Sequence, residues 1–152
     1  MAHDNTVRLH RVLRAPPERV YKAFVTPEAL VKWIAPHGFV AKILAWDPQV
    51  GGTCRMAFTN LGTGSSHSFA TTYVELVPGE RLRYTDQFDD PNLPGQMSVT
   101  VTLTKVLCGT ELHITQEGVP PVIPLEFCYA GWQESLQLLA LLVDPEIPDA
   151  GP

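Results

Sequence analysis

At 152 residues the chain has the length of one ordinary domain, able to bury about two-thirds of the surface its unfolded form exposes. Its 45% hydrophobic and 18% charged residues are those of a globular protein, and 14 prolines and 11 glycines announce many short elements. A net charge of −5 without clustered Lys and Arg argues against a nucleic-acid partner, and no run of about 18 uncharged apolar residues marks a membrane span.

The first segment, "TVRLHRVLRA" (6–15), mixes alternation with β-branched residues and predicts a strand. Pro16 and Pro17 then suit a first helical turn, whose N–H groups lack intrahelical partners, and Val20, Ala23 and Phe24 follow at helical spacing. A second helix start comes at once: Thr26 as N-cap, Pro27 next, and Glu28 at the positive end of the helix dipole. Leu30, Trp33 and Ile34 continue it until Pro36 and Gly38.

From residue 38 to 117 strands dominate: 38–47, 53–60, 66–77, 81–88, 97–106 and 110–117. Pro78-Gly79 predicts a type II turn and Cys108-Gly109 a hairpin. The last element, 124–143, places Tyr129, Trp132, Leu136, Leu139 and Val143 on one helical face, ended by Asp144-Pro145. The order is strand, two short helices, six strands and a long helix. Hairpin connections make the sheet mainly antiparallel and the class α+β. One domain is expected over 1–152, with its core at about 6–143 and a tail, 144–152, that frays.

Width then predicts a cavity. Seven strands at about 4.8 Å cover about 34 Å, whereas one helix with its side chains is about 10–12 Å across. The sheet nevertheless carries an apolar face that includes Ile43, Met56, Phe58, Leu82, Tyr84, Val99, Val101, Leu103, Leu112 and Ile114. One helix cannot cover it, so the sheet curls, other elements intrude, or a pocket remains.

Several of these segments, in this order, resemble one family: "APPERVYKAFVTPEALVKWIAP", "DPQVGGTCRM", "YVELVPGERLRYT", "GTEL" and "GWQESLQLLALLV". Over roughly residues 6 to 143 the chain resembles the activator-of-heat-shock-protein-90-ATPase-like subgroup of SRPBCC domains in the START-like superfamily. The resemblance implies a helix-grip fold, in which a seven-stranded curved antiparallel sheet, two short helices and a long C-terminal helix enclose an apolar cavity. It also implies the superfamily's range of roles: lipid or hormone binding, polyketide cyclisation or aromatisation, and co-chaperone activity. No active-site motif accompanies it, and no catalytic residue is carried over.

The residues themselves offer few sites of chemistry. There is no CxxC and no HExxH, and His3, His10, His37, His67 and His113 are scattered, although strands could bring His67 and His113 together. No metal and no cofactor is expected. The loop "GTGSSH" (62–67) leads into a strand and lacks the helix N-terminus of a phosphate cradle. Cys54 and Cys128 read as small buried hydrophobes. Asp86 shares parity with Leu82, Tyr84 and Phe88 and faces inward; Arg11 shares parity with Leu9 and Leu13. Arg11, Tyr84 and Asp86 then either orient a ligand head group, or Arg11 and Asp86 form a self-satisfying ion pair, the reading favoured here. The face of the fourth strand is ambiguous: His67, Tyr73 and Glu75 lie on the odd side, Val74 and Leu76 on the even.

The expected cavity lining is Arg11, Trp33, Phe39, Ile43, Met56, Phe58, Tyr84, Asp86, Val99, Val101, Ile114, Tyr129, Trp132 and Leu136, with Trp33 and Phe39 near the mouth. The expected function is binding of a small hydrophobic or aromatic ligand. One alternative is a cyclase or aromatase that uses Asp86, Tyr84 or His67 as acid or base. The other is a co-chaperone-like protein-binding module, against which the length counts, since it leaves no room for the extra chaperone-binding domain of eukaryotic co-chaperones. Three odd cysteines and no secretion signal predict a cytoplasmic location, with oligomeric state open and a homodimer among the options.

Overall fold

The computed structural model describes residues 5–149; His3 and the last three residues of the expected tail lie outside them. Strand β1 (Val7–Leu13) is followed by α1 (Pro17–Val25) and α2 (Pro27–Leu30). Strands β2 (Phe39–Ala45), β3 (Thr53–Asn60), β4 (Ser66–Val77), β5 (Arg81–Phe88), β6 (Met97–Val106) and β7 (Gly109–Glu117) come next, then α3 (Leu125–Val143). The fold is α+β, a seven-stranded antiparallel curved sheet with two short helices and a long C-terminal helix, a helix-grip arrangement.

Sheet order is β1-β7-β6-β5-β4-β3-β2, so β1 and β2 are the two edges although only α1 and α2 separate them in sequence. Six strand spacings of about 4.8 Å put those edges about 29 Å apart along the sheet. The helix pair carries the chain across that span. Proline sets both starts: Pro17 opens α1 behind an extended Pro16, and Pro27 opens α2 behind an extended Thr26. Thr26 does not cap α2 through its hydroxyl; its carbonyl accepts from the Ala29 and Leu30 N–H groups instead. Helix α2 is also shorter than expected, and Trp33 and Ile34 sit in the turns that follow it.

Two register shifts decide which side chains face inward. Between Tyr73 and Glu75 the β4–β5 pairing slips at Val74, so Phe69, Thr71 and Tyr73 face inward before the slip and Leu76 packs on the core after it. Both parities expected for β4 are therefore used, on either side of a bulge. A second shift between Ile43 and Ala45 bends β2. At Pro78-Gly79 the Glu80 N–H donates to the Val77 carbonyl at 3.0 Å and Gly79 takes φ +75°, the turn its sequence demands.

Helix α3 packs against β1 and α1, while α1 also meets β6 and β7. That half of the interior is filled by Leu13, Val20, Leu82, Val101, Leu112, Ile114, Leu136 and Leu139, all buried. The helix is tied at its end: the Asp144 carboxylate accepts from the Arg14 and Ala15 N–H groups at 2.9 and 3.3 Å, and Arg19 Nε donates to the Val143 carbonyl at 2.7 Å. Asp144 is thus anchored, and residues 145–149 beyond it have no regular secondary structure. No helix among the described residues is long and apolar enough to cross a membrane.

Candidate functional site: a cavity with one polar band

The void lies over the other half of the sheet, beneath the first half of α3. It measures about 480 Å³ and is lined from β3, β4, β5, the ends of β2 and β6, the turn after α2, and α3. Cross-strand register orders its floor. One row runs Cys54, Thr71, Asp86 and Met97 across β3, β4, β5 and β6. On one side lie Tyr73, Tyr84 and Gln116, in a row whose remaining member, Val99, is sealed in the core; on the other lie Met56, Phe69 and Phe88. Phe58 and Phe69 meet edge to face with centroids 5.1 Å apart, and Phe69 and Phe88 do so at 6.3 Å. The floor is therefore aromatic at one end and polar in the middle. Trp132, Cys128, Gly131, Ser135 and the exposed Phe127 form the roof.

Every polar group of the band has identifiable surroundings. Thr71 Oγ1 donates to Asp86 Oδ1 at 2.5 Å. Burial pushes the Asp86 carboxyl up to about 6, against the downward pull of the Thr71 hydrogen bond. Desolvation likewise raises the phenols of Tyr73 and Tyr84 and the thiols of Cys54 and Cys128, so these groups are neutral at physiological pH. The Cys54 sulfur accepts from the Asp47 N–H at 3.3 Å. Trp132 Nε1 donates to Gln116 Oε1 at 3.0 Å, and Ser135 Oγ donates to the Ile34 carbonyl at 2.9 Å, closing the roof onto the floor and the helix turn. No buried side-chain N or O among the described residues lacks a partner. Asp86 is then the single carboxylate in a lining that is otherwise apolar and aromatic side chains, thiols, hydroxyls, the Gln116 amide and the His67 imidazole.

Of the residues expected at the cavity, Phe39, Met56, Phe58, Tyr84, Asp86 and Trp132 line it. The other eight lie elsewhere. Val99, Val101, Ile114 and Leu136 are sealed within the packed core, and Ile43 packs on its flank. Trp33 is fully buried, its Nε1 donating to the Ala23 carbonyl at 3.0 Å and its ring edge-on to Phe24 at 4.7 Å. It locks the turn after α2 onto α1 and does not sit at the mouth. The Tyr129 hydroxyl accepts from the Arg8 N–H at 3.1 Å, which turns that ring toward the β1 edge.

Arg11 forms no pair with Asp86. Its strand is three positions from β5, about 14 Å along the sheet, and it borders a separate surface groove with Arg14, Arg19, Asp144 and Glu146. His67 lines the cavity from β4, whereas His113 lies on the outer face of β7, so the two histidines do not meet. Sequence reasoning missed Thr71, Phe69, Met97 and Gln116. Odd parity on β4 points to the first two; nothing local marks Gln116 as the partner of Trp132.

A family model described as activator of Hsp90 ATPase homolog 1-like protein matches residues 14–144. A crystal structure of a Chromobacterium violaceum protein is 58% identical, with a TM-score of 0.92, covering 93% of this chain and 99% of that one. A Rhodobacter sphaeroides protein (22% identity, TM-score 0.80, 91% of each chain) and a Staphylococcus epidermidis protein (16%, 0.80, 100% of this chain and 97% of that one) share the fold. No curated protein matches the chain. With 131 consecutive positions matched, the chain belongs to the activator of Hsp90 ATPase homolog 1-like family.

Proposed function

We propose that the protein binds a small hydrophobic or aromatic molecule in this cavity, with a hydrogen-bond donor of the ligand directed at Asp86. The carrying observation is an apolar void of about 480 Å³, within the size range of small-molecule pockets, that holds a single carboxylate braced by Thr71. Burial of apolar surface at about 25 cal/mol per Å² supplies affinity, and the carboxylate fixes orientation. Phe127, exposed on the first turn of α3, stands at the entrance beside Ile123 and Leu93. Three free cysteines fit a reducing compartment, and we place the protein in the cytoplasm.

A thermal-shift and native mass-spectrometry screen of lipids, flavonoids and polyketides tests this reading. It predicts at least one saturable ligand that raises the melting temperature, and a screen without any such ligand would count against it. A carboxyl that titrates near 6 beside a bound ligand can also move a proton, which supports a second reading as a cyclase-type enzyme. In that case Asp86→Asn abolishes turnover while the ligand still binds. A protein-binding role like that in the family's name is separated by a pull-down with the chaperone.

A further inference from the structure

A second constellation lies on the opposite face of the sheet, outside the cavity. On the edge strand β1, His10 is the direct cross-strand neighbour of His113 on β7, and Glu111 stands two residues before His113 on the same face. The two imidazole rings stack with centroids 4.6 Å apart at 29°. Glu111 reaches both: its Oε2 lies 3.2 Å from His10 Nε2 and its Oε1 3.3 Å from His113 Nε2. Two imidazole nitrogens and a carboxylate oxygen thus lie within 4.8 Å of one another, all on accessible side chains.

We infer that His10, Glu111 and His113 form a binding site for a divalent transition-metal ion, with zinc the best match. Zinc takes His nitrogen at about 2.0–2.1 Å and carboxylate oxygen at about 2.0–2.2 Å, so donors on one tetrahedral ion sit roughly 3.4 Å apart. Each imidazole nitrogen already lies at about that spacing from a Glu111 oxygen, His10 from Oε2 at 3.2 Å and His113 from Oε1 at 3.3 Å. Because all three donor atoms lie within 4.8 Å of one another on exposed or half-exposed side chains, side-chain rotation brings them around one ion, with Glu111 offering one oxygen or both. The two rings are held at their positions by the β1–β7 ladder and not by a flexible loop. Two imidazoles and one carboxylate favour Zn²⁺, Ni²⁺ or Cu²⁺ over Mg²⁺ and Ca²⁺, which prefer all-oxygen shells. Three protein donors leave at least one coordination position for water or an incoming ligand. The ion would also clasp edge strand β1, which has a pairing partner on one side only, to β7.

Isothermal titration of the full chain with ZnCl₂ tests the site, with Mg²⁺ and Ca²⁺ as controls. The expected result is one equivalent of saturable Zn²⁺ and a melting temperature that rises with zinc concentration, by linkage to the folded state. His10→Ala and His113→Ala should each weaken binding by about tenfold or more, because each removes one of three donors. The double variant H10A/H113A should lose the binding, while His67→Ala keeps it. These positions are exposed, and circular dichroism verifies that each variant folds. No saturable binding by the wild type, or equal affinity in H10A/H113A, would overturn the assignment.

Discussion

Thr71 and Asp86 face each other across β4 and β5, and the hydroxyl of one donates to the carboxylate of the other at 2.5 Å inside a mainly apolar cavity. One hydrogen bond does not replace the hydration of an ionised carboxylate, which is why burial raises the Asp86 carboxyl from 3.8 to about 6. This pair is the polar centre of the site and has consequences for stability and for binding.

Because the folded-state value lies above the unfolded one, Asp86 favours folding most when both states are protonated. That contribution declines as pH rises from about 4 to about 6 and stays low above it. A rise of this size corresponds to at most about 3 kcal/mol. Asp86→Asn keeps an acceptor for Thr71 and removes the charge. Urea denaturation should find the variant more stable than wild type at pH 7.5, by about 1–3 kcal/mol, with the difference shrinking at pH 4. A variant less stable than wild type at both pH values would contradict the assignment of Asp86 as a desolvated, unpaired charge.

Gly131 sits inside α3 with an ordinary helical conformation, and an added Cβ would come no closer than 3.9 Å to Pro36 Cγ. Gly131→Ala should therefore stabilise the protein by about 0.5–1 kcal/mol through helix propensity. The midpoint of a denaturation curve measures it, and a loss of stability would mean that this helix approaches Pro36 more tightly than it does.

Gly109 is the opposite case. It takes φ +143° where β6 turns into β7, and a Cβ there would lie 2.0 Å from the Leu13 carbonyl oxygen. Gly109→Ala forces the end of β1 away from β7 and should cost more than about 2 kcal/mol. Thermal unfolding of the two glycine variants side by side should move in opposite directions.

Trp132→Phe removes the indole N–H that satisfies Gln116 Oε1 while retaining an aromatic ring in the roof. Leaving a buried amide oxygen unpaired should cost about 1–3 kcal/mol. Replacing both residues, W132F with Q116L, should recover part of that loss if the hydrogen bond is the cause; additive losses in the double-mutant cycle would assign the cost to ring size instead.

Periodicity and punctuation made much of the fold legible. Pro17, Pro27, Pro78-Gly79 and Cys108-Gly109 mark real boundaries, and the alternation in 97–106 is real strand β6. The helix and sheet widths also predicted a void. Which residues line it was less legible, because lining depends on where α3 rests across the sheet. Val99, Val101 and Ile114, strand residues with the same inward parity as Met56 and Tyr84, are sealed in the core with Leu136 of α3, whereas Met56 and Tyr84 stand beside the open space. Parity says inward; it does not say filled or empty. The Val74 bulge and the His10–His113 pairing are likewise products of strand register, which no single segment encodes.

Methionine methyls give the most direct test of the cavity. The chain has three methionines, and two of them, Met56 and Met97, line the cavity from β3 and β6. With ¹³C-methyl-methionine labelling, titration with 2-naphthol, an aromatic ring carrying one hydroxyl donor, should shift the Met56 and Met97 signals together and saturably. In Asp86→Asn the affinity for 2-naphthol should fall relative to that for naphthalene, since only the former directs a donor at the carboxylate. Unperturbed Met56 and Met97 signals up to the solubility limit of both compounds would contradict the cavity as a site for small aromatic ligands.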